Sequence, residues 1–132
     1  MRFKARLFKD HLQVLIGVSM ACEKIGKRAS IFLDEGFMRI TVMSETEAPR
    51  VFVEIKSSVV FSEYRIESNS RPIPNQILFE IDLDQFSGAL TSGRNAQVCD
   101  VKMVKRGALP CLCLETKAVD LCVQHDIPIK VG

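Results

Sequence analysis

Cys111 and Cys113 stand two apart in an alternating segment, so both thiols project from one face of a strand and could share a soft ligand. A zinc site needs two further ligands. The chain offers only His11 and His125, neither at ligand spacing from a cysteine or carboxylate pair. With Cys22, Cys99 and Cys122 the thiols number five, an odd count without a CxxC pair. That pattern is expected of reduced thiols buried as small hydrophobes in an intracellular protein. The acids Glu80, Asp82 and Asp84 are the other cluster with chemical potential, as a general acid–base pair or a divalent-cation site. Strand alternation and a helix start account for them more simply, because acids suit helix N-termini. No nucleophile-elbow serine, phosphate-binding glycine loop, dinucleotide glycine motif or zincin histidine pair is present. The expectation is no catalytic residue, no metal and no cofactor. A small-molecule enzyme would have to use Cys111, Cys113 or the acids from Glu80 to Asp84.

Charge offers a second line of inference. The chain has 132 residues, 47% hydrophobic and 26% charged, with a net charge of +2. This describes one soluble globular domain, too mildly basic to wrap nucleic acid tightly. The basic residues are nevertheless placed suggestively. At 100° per residue, Gln13, Gly17, Met20, Lys24 and Lys27 gather on one side of a predicted helix, and Arg94 closes a second helix. The stripe is polar and nearly free of acids, which suits a polyanion. Two or three phosphate contacts would give a weak, salt-sensitive attraction compatible with sliding.

The elements that would position these residues follow from periodicity. Phe3, Ala5 and Leu7 alternate with Arg2, Lys4 and Arg6, a strand with one wet face. Asp10 is the expected N-cap of a helix running to about Lys27, with Val14, Leu15, Val18, Cys22 and Ile25 on its apolar side. A signal peptide fits residues 2–22 less well, since Gln13 interrupts the apolar run, and no stretch of eighteen apolar residues exists. Three strands follow, carried by Ala29, Ile31 and Leu33, then Met38, Ile40 and Val42, then Val51, Val53 and Ile55. Asp34-Glu35-Gly36 makes a hairpin turn, and 44–49 is a polar link. Residues 59–67 read as extended and 68–75 as a loop.

The order then repeats. Ile77, Phe79 and Ile81 form a strand, and Leu83, Phe86 and Leu90 mark a helix ending near Ser92-Gly93 in a left-handed glycine cap. Strands at 98–105, 109–116 and 118–125 complete the unit, with Lys117 in the last turn. The prediction is a single α+β domain over 1–132 made of two strand–helix–three-strand repeats, about 1–67 and 76–126. Its antiparallel sheets would carry both helices on one side, burying Val14, Leu15, Val18, Phe86 and Leu90. Residues 127–132 would begin a connector.

The opening Phe3-Lys4-Ala5-Arg6-Leu7 and the F-x-x-Y-R of Phe61, Tyr64 and Arg65 resemble the sliding-clamp (DNA clamp) family of proliferating cell nuclear antigen. The ending His125-Asp126-Ile127-Pro128-Ile129-Lys130-Val131, with Pro110-Cys111-Leu112, is similar to the first domain of the HUS-type subunit of the nine-one-one DNA-damage checkpoint clamp. The resemblance covers essentially the whole chain. It implies a nuclear, non-catalytic ring that encircles double-stranded DNA, built with two related checkpoint-clamp subunits. An ATP-dependent clamp loader would place it, and it would support checkpoint signalling and recruit repair enzymes. It also implies that Gln13, Lys24, Lys27 and Arg94 face DNA. Val119, Leu121 and Val123, on the strand at 118–125, would form the subunit edge. Replicative clamps are more basic on their inner helices, where this chain has Gln13, Met20, Gly88 and Thr91. A homotrimeric replicative clamp is therefore the alternative.

Overall fold

The computed structural model describes residues 1–43 and 51–132. The polar link expected at 44–49 lies outside them. Strand β1 (Arg2–Phe8) has the expected alternation, with Phe3, Ala5 and Leu7 buried and Arg2 and Lys4 exposed. Helix α1 (Lys9–Glu23) follows without a loop. Then come β2 (Arg28–Leu33) and β3 (Phe37–Met43), whose buried residues are Ala29, Ile31 and Leu33, and Met38, Ile40 and Val42. Their turn is held by Asp34, whose Oδ1 accepts the amide hydrogens of Gly36 (2.9 Å) and Phe37 (2.7 Å). Strand β4 (Phe52–Lys56), the single-turn helix α2 (Ser57–Val60) and strand β5 (Glu63–Glu67) complete the first half.

The second half opens with β6 (Ile77–Asp82) and α3 (Leu83–Ser92). It closes with β7 (Val98–Arg106), β8 (Leu109–Lys117) and β9 (Cys122–Val131). Every strand pair is antiparallel, in the order β4-β3-β2-β6-β9-β8-β7-β1-β5. The halves interlock, because each repeat's first strand pairs with a strand of the other: β1 with β7, and β6 with β2. Among the described strands, β9 alone joins the two halves of the sheet. It pairs with β8 through Pro128 and with β6 from Ile129. Pro128 lacks an amide hydrogen, so it sits where β9 hands over from one neighbour to the other.

The two longer helices pack antiparallel on one another and on the inner sheet face. Leu12, Leu15, Ile16 and Cys22 of α1 meet Phe86, Ala89 and Leu90 of α3 over a core containing Leu7, Ile31, Ile40, Phe79 and Ile81. Each buried leucine, isoleucine or phenylalanine of this set stabilises the fold by roughly 1.5–3 kcal/mol relative to exposure. Ser19 is buried within this stripe and spends its hydroxyl on the Ile16 carbonyl at 2.9 Å.

Several expectations are corrected. Helix α1 ends at Glu23, so Lys24 is its C-cap and Lys27 lies beyond it. Its N-cap is Phe8, with no side-chain cap bond, and Asp10 sits inside the first turn. Val14, expected in the core, is 51% exposed, Ile25 is exposed too, and Val18 is only partly buried. The extended segment expected at 59–67 is divided between α2 and β5. Gly93 ends α3 with φ −97°, an ordinary conformation and not a left-handed cap. Residues 118–121 form the turn before β9, not the start of a strand, and residues 127–131, expected to begin a connector, continue β9.

Candidate nucleic-acid interface and subunit edge

The residues predicted to face DNA separate into two pairs at opposite ends of the helix layer. Gln13 lies near the start of α1 and donates its Nε2 hydrogen to the Arg94 carbonyl at 2.6 Å, which ties α1 to the end of α3. Lys24 and Lys27 lie at the far end, where the Lys27 carbonyl accepts the Leu83 amide at 2.8 Å as α3 begins. Between them the exposed surface is Gly17, Met20 and Gly88, which carry no charge. Among the described residues Lys24, Lys27 and Arg94 form no ion pair.

The stripe is not free of acids. Glu23 at the end of α1 and Asp84 at the start of α3 are both exposed and adjacent. The Glu23 carboxylate, within hydrogen-bonding reach, pushes the Asp84 carboxyl up, while Lys27 pulls it back. Antiparallel helices bring these positions together, a consequence the helical wheel of α1 alone does not contain. The lysine end is therefore partly neutralised, and the layer presents isolated cations.

The residues with chemical potential are placed structurally. Asp82 caps α3, accepting the Gln85 amide at 3.0 Å, and Asp84 lies in the first turn. Cys111 and Cys113 are buried on β8, and burial pushes the Cys113 thiol up to about 11, away from nucleophilic use. Among the described residues no three His, Cys, Asp or Glu side chains converge as a metal site, and no helix is long and apolar enough to cross a membrane.

The expected subunit edge has a different local structure. Val119 and Leu121 project from the β8–β9 turn, 87% and 63% exposed, and the Ala118 amide donates to the Leu121 carbonyl at 2.8 Å. Val123 is half-buried on β9, and its carbonyl accepts the Thr116 hydroxyl at 3.3 Å. Among the described strands, β9 from Cys122 to Ile127 pairs with β8 alone. One side of this segment thus carries unpaired backbone groups beside two exposed apolar side chains.

The F-x-x-Y-R segment has a physical explanation. Phe61 and Tyr64 meet Phe3 edge to face, with ring centroids 6.3 and 5.5 Å from that ring, and lock β5 against β1. The Tyr64 hydroxyl donates to the Asp34 carbonyl at 2.5 Å, fastening β5 to the β2–β3 turn. Burial pushes the Tyr64 hydroxyl pKa well up. Arg65 points to the other face.

The fold and sequence have matches among known proteins. All 132 residues match the family described as Hus1-like protein. Checkpoint protein hus1 of Schizosaccharomyces pombe is 28% identical over 136 residues, covering 99% of this chain and 46% of that protein. The Checkpoint protein hus1 homolog of Dictyostelium discoideum is 26% identical over 134 residues, covering 98% and 48%. Human Checkpoint protein HUS1 is 29% identical over 86 residues, covering 61% and 30%. The chain thus spans about half the length, or less, of the curated relatives it matches. Crystal structures of PCNA from Thermococcus kodakaraensis (TM-score 0.73, 16% identity, 96% of this chain and 46% of that one) and of the PCNA2-PCNA3 complex from Sulfolobus tokodaii (0.66, 12%, 98% and 46%) share the fold. The chain belongs to the Hus1-like protein family and has the PCNA-like sliding-clamp fold.

Proposed function

We propose that this chain is the amino-terminal domain of a non-catalytic subunit of a heterotrimeric checkpoint clamp that encircles double-stranded DNA at damage sites. In this reading it acts in the nucleus with two related subunits after placement by an ATP-dependent loader, supporting checkpoint signalling and repair-enzyme recruitment. The whole-length match to the Hus1-like family carries the reading, and a replicative homotrimer is not favoured by it. The architecture agrees: one layer holds two antiparallel helices, and the other is a sheet suited to the outside of a ring. Gln13, Lys24, Lys27 and Arg94 then face the duplex. Their separation into two pairs, with Glu23 and Asp84 beside the lysines, limits them to a few phosphate contacts. Affinity should be weak and should fall with salt with the shallow slope of a few contacts, and sliding should not be arrested.

Val119, Leu121 and Val123, with the one-sided stretch of β9, form the proposed subunit contact. A neighbouring strand added there would pair the free backbone and cover the apolar turn. The test is co-expression with the two other checkpoint-clamp subunits, followed by size-exclusion chromatography. Wild type should co-elute with one of them, and Leu121→Asp should abolish this without lowering the melting temperature. A Leu121→Asp chain that still co-elutes would displace the contact from this turn. Failure of wild type, both as this chain and as the full-length protein, would refute the subunit reading.

A further inference from the structure

Three cations stand directly opposite one another on the sheet face away from the helices. Lys4 on β1 is the register partner of Arg65 on β5 and of Lys102 on β7, so the row Arg65–Lys4–Lys102 crosses three strands. Opposed side chains on one face begin about 5 Å apart, and like charges so placed oppose folding. The neighbouring rows are built the other way. Arg6 lies between Glu63 and Asp100 and holds Asp100 at 2.7 Å, while Arg2 faces Glu67. The remaining nearby carboxylates are already engaged: Asp100 also binds Lys117 at 3.0 Å, and Asp126 is held by Arg106 at 2.8 Å. Among the described residues neither Arg65, Lys4 nor Lys102 forms an ion pair. All three line one open depression of about 310 Å³, and Lys4 and Arg65 also border a second of about 530 Å³. The core does not require this row. Arg65 and Lys4 are exposed and Lys102 half-exposed.

We propose that this row is a docking site for a phosphorylated, extended peptide segment of a protein partner, laid along the β5 edge with its phosphate on Arg65, Lys4 and Lys102. A phosphate dianion matches three converging cations better than a single carboxylate does. The row is short and bracketed by Glu63, Glu67 and Asp100. A duplex backbone laid over it would meet those acids, whereas a single anionic group fits between them. The mode of approach follows from topology. Strand β5 ends the sheet order and pairs with β1 alone among the described strands, leaving its far edge open to strand addition. A peptide there places its own side chains next in line to Arg65. This site does not depend on ring assembly, so its test uses the chain by itself.

The probes are immobilised nonapeptide pools with random flanks around a central phosphoserine, serine or glutamate. Wild type should be retained by the phosphoserine pool about tenfold or more above the serine pool, the equivalent of one charge-assisted hydrogen bond. Amide shifts in the ¹⁵N-labelled chain should concentrate on β5 and β1. Lys4→Glu should remove the retention while raising the melting temperature, because the central member of the row is then opposite in sign to both of its neighbours, Arg65 and Lys102. Lys24→Glu on the opposite, helix layer should leave the retention unchanged. Equal retention on the phosphoserine and serine pools would overturn the proposal, as would retention unaffected by Lys4→Glu. So would displacement of the phosphopeptides by a DNA duplex that shifts the same amides, which would make the row a nucleic-acid surface.

Discussion

Replacing Gly93 with alanine should destabilise the fold by about 1–2 kcal/mol, for a reason of packing rather than backbone conformation. A Cβ at Gly93 would lie 2.2 Å from Thr116 Cγ2, 2.8 Å from Thr116 Cβ and 3.2 Å from its Oγ1. Thr116 cannot easily retreat. It is buried on β8 between β7 and β9, and its hydroxyl is engaged with the Val123 carbonyl. Overpacking of this kind costs about 1–3 kcal/mol. The opposing term is smaller. Gly93 has φ −97° and ψ 13°, which alanine accepts, so restricting the unfolded chain would return about 0.4–1 kcal/mol. Urea unfolding provides the measurement, read as a lowered midpoint with an unchanged slope. Thr116→Ala removes both Cγ2 and Oγ1. In that background Gly93→Ala should cost less by about 1 kcal/mol, a coupling expected only for groups in contact. A neutral or stabilising Gly93→Ala, or an equal cost in both backgrounds, would refute the reasoning.

Two further predictions follow from the outer sheet face and the thiols. The hydrogen bond from Arg6, reinforced by Lys117, holds the Asp100 carboxyl below its ordinary value. Its contribution to stability is therefore present above pH 4 or so and lost as pH falls through the depressed value. Asp100→Asn should flatten the acid limb of the stability profile, and parallel profiles below pH 4 would exclude this role. Brief treatment with N-ethylmaleimide at neutral pH should modify Cys122 alone among the five cysteines, as read by mass spectrometry of the intact and digested chain. Cys122 is the exposed one, whereas burial pushes Cys99 up to about 12 and Cys113 up to about 11. Labelling of Cys113 at a comparable rate would contradict that placement.

The strands with strict alternation were legible because their two faces meet different solvents. Phe3, Ala5 and Leu7, and likewise Ile77, Phe79 and Ile81, are buried as their period requires. Helix α1 was less legible, since apolar residues surround it. Val14 and Ile25, expected on the apolar side, are exposed, while Ser19 occupies the core stripe beside Leu15 and Cys22. The turn before β9 contains Ala118, Val119, Asp120 and Leu121, with no glycine, proline or asparagine to mark it. Pro128 reads as a strand breaker until its place at a change of partner is known. Periodicity placed Lys24 and Lys27 on a stripe of α1, whereas the helix ends at Glu23 and leaves these lysines at its C-cap and beyond. Their neutralisation by Glu23 and Asp84 depends on how two distant segments pack, and so does the convergence of Arg65, Lys4 and Lys102. Register between strands far apart in sequence is not written in either strand.

The position of β9 bears on how the domain is made. Synthesis proceeds from the amino terminus, so every strand from β1 to β8 leaves the ribosome before the one that joins the halves of the sheet. Until Val131 emerges, β6 and β8 each lack a neighbour, and the nascent chain holds two incomplete sheets with open, apolar-faced margins. Completion of the sheet is thus a late event at the carboxyl-terminal end of the domain. In that interval the chain is most exposed to mispairing and most in need of chaperone cover.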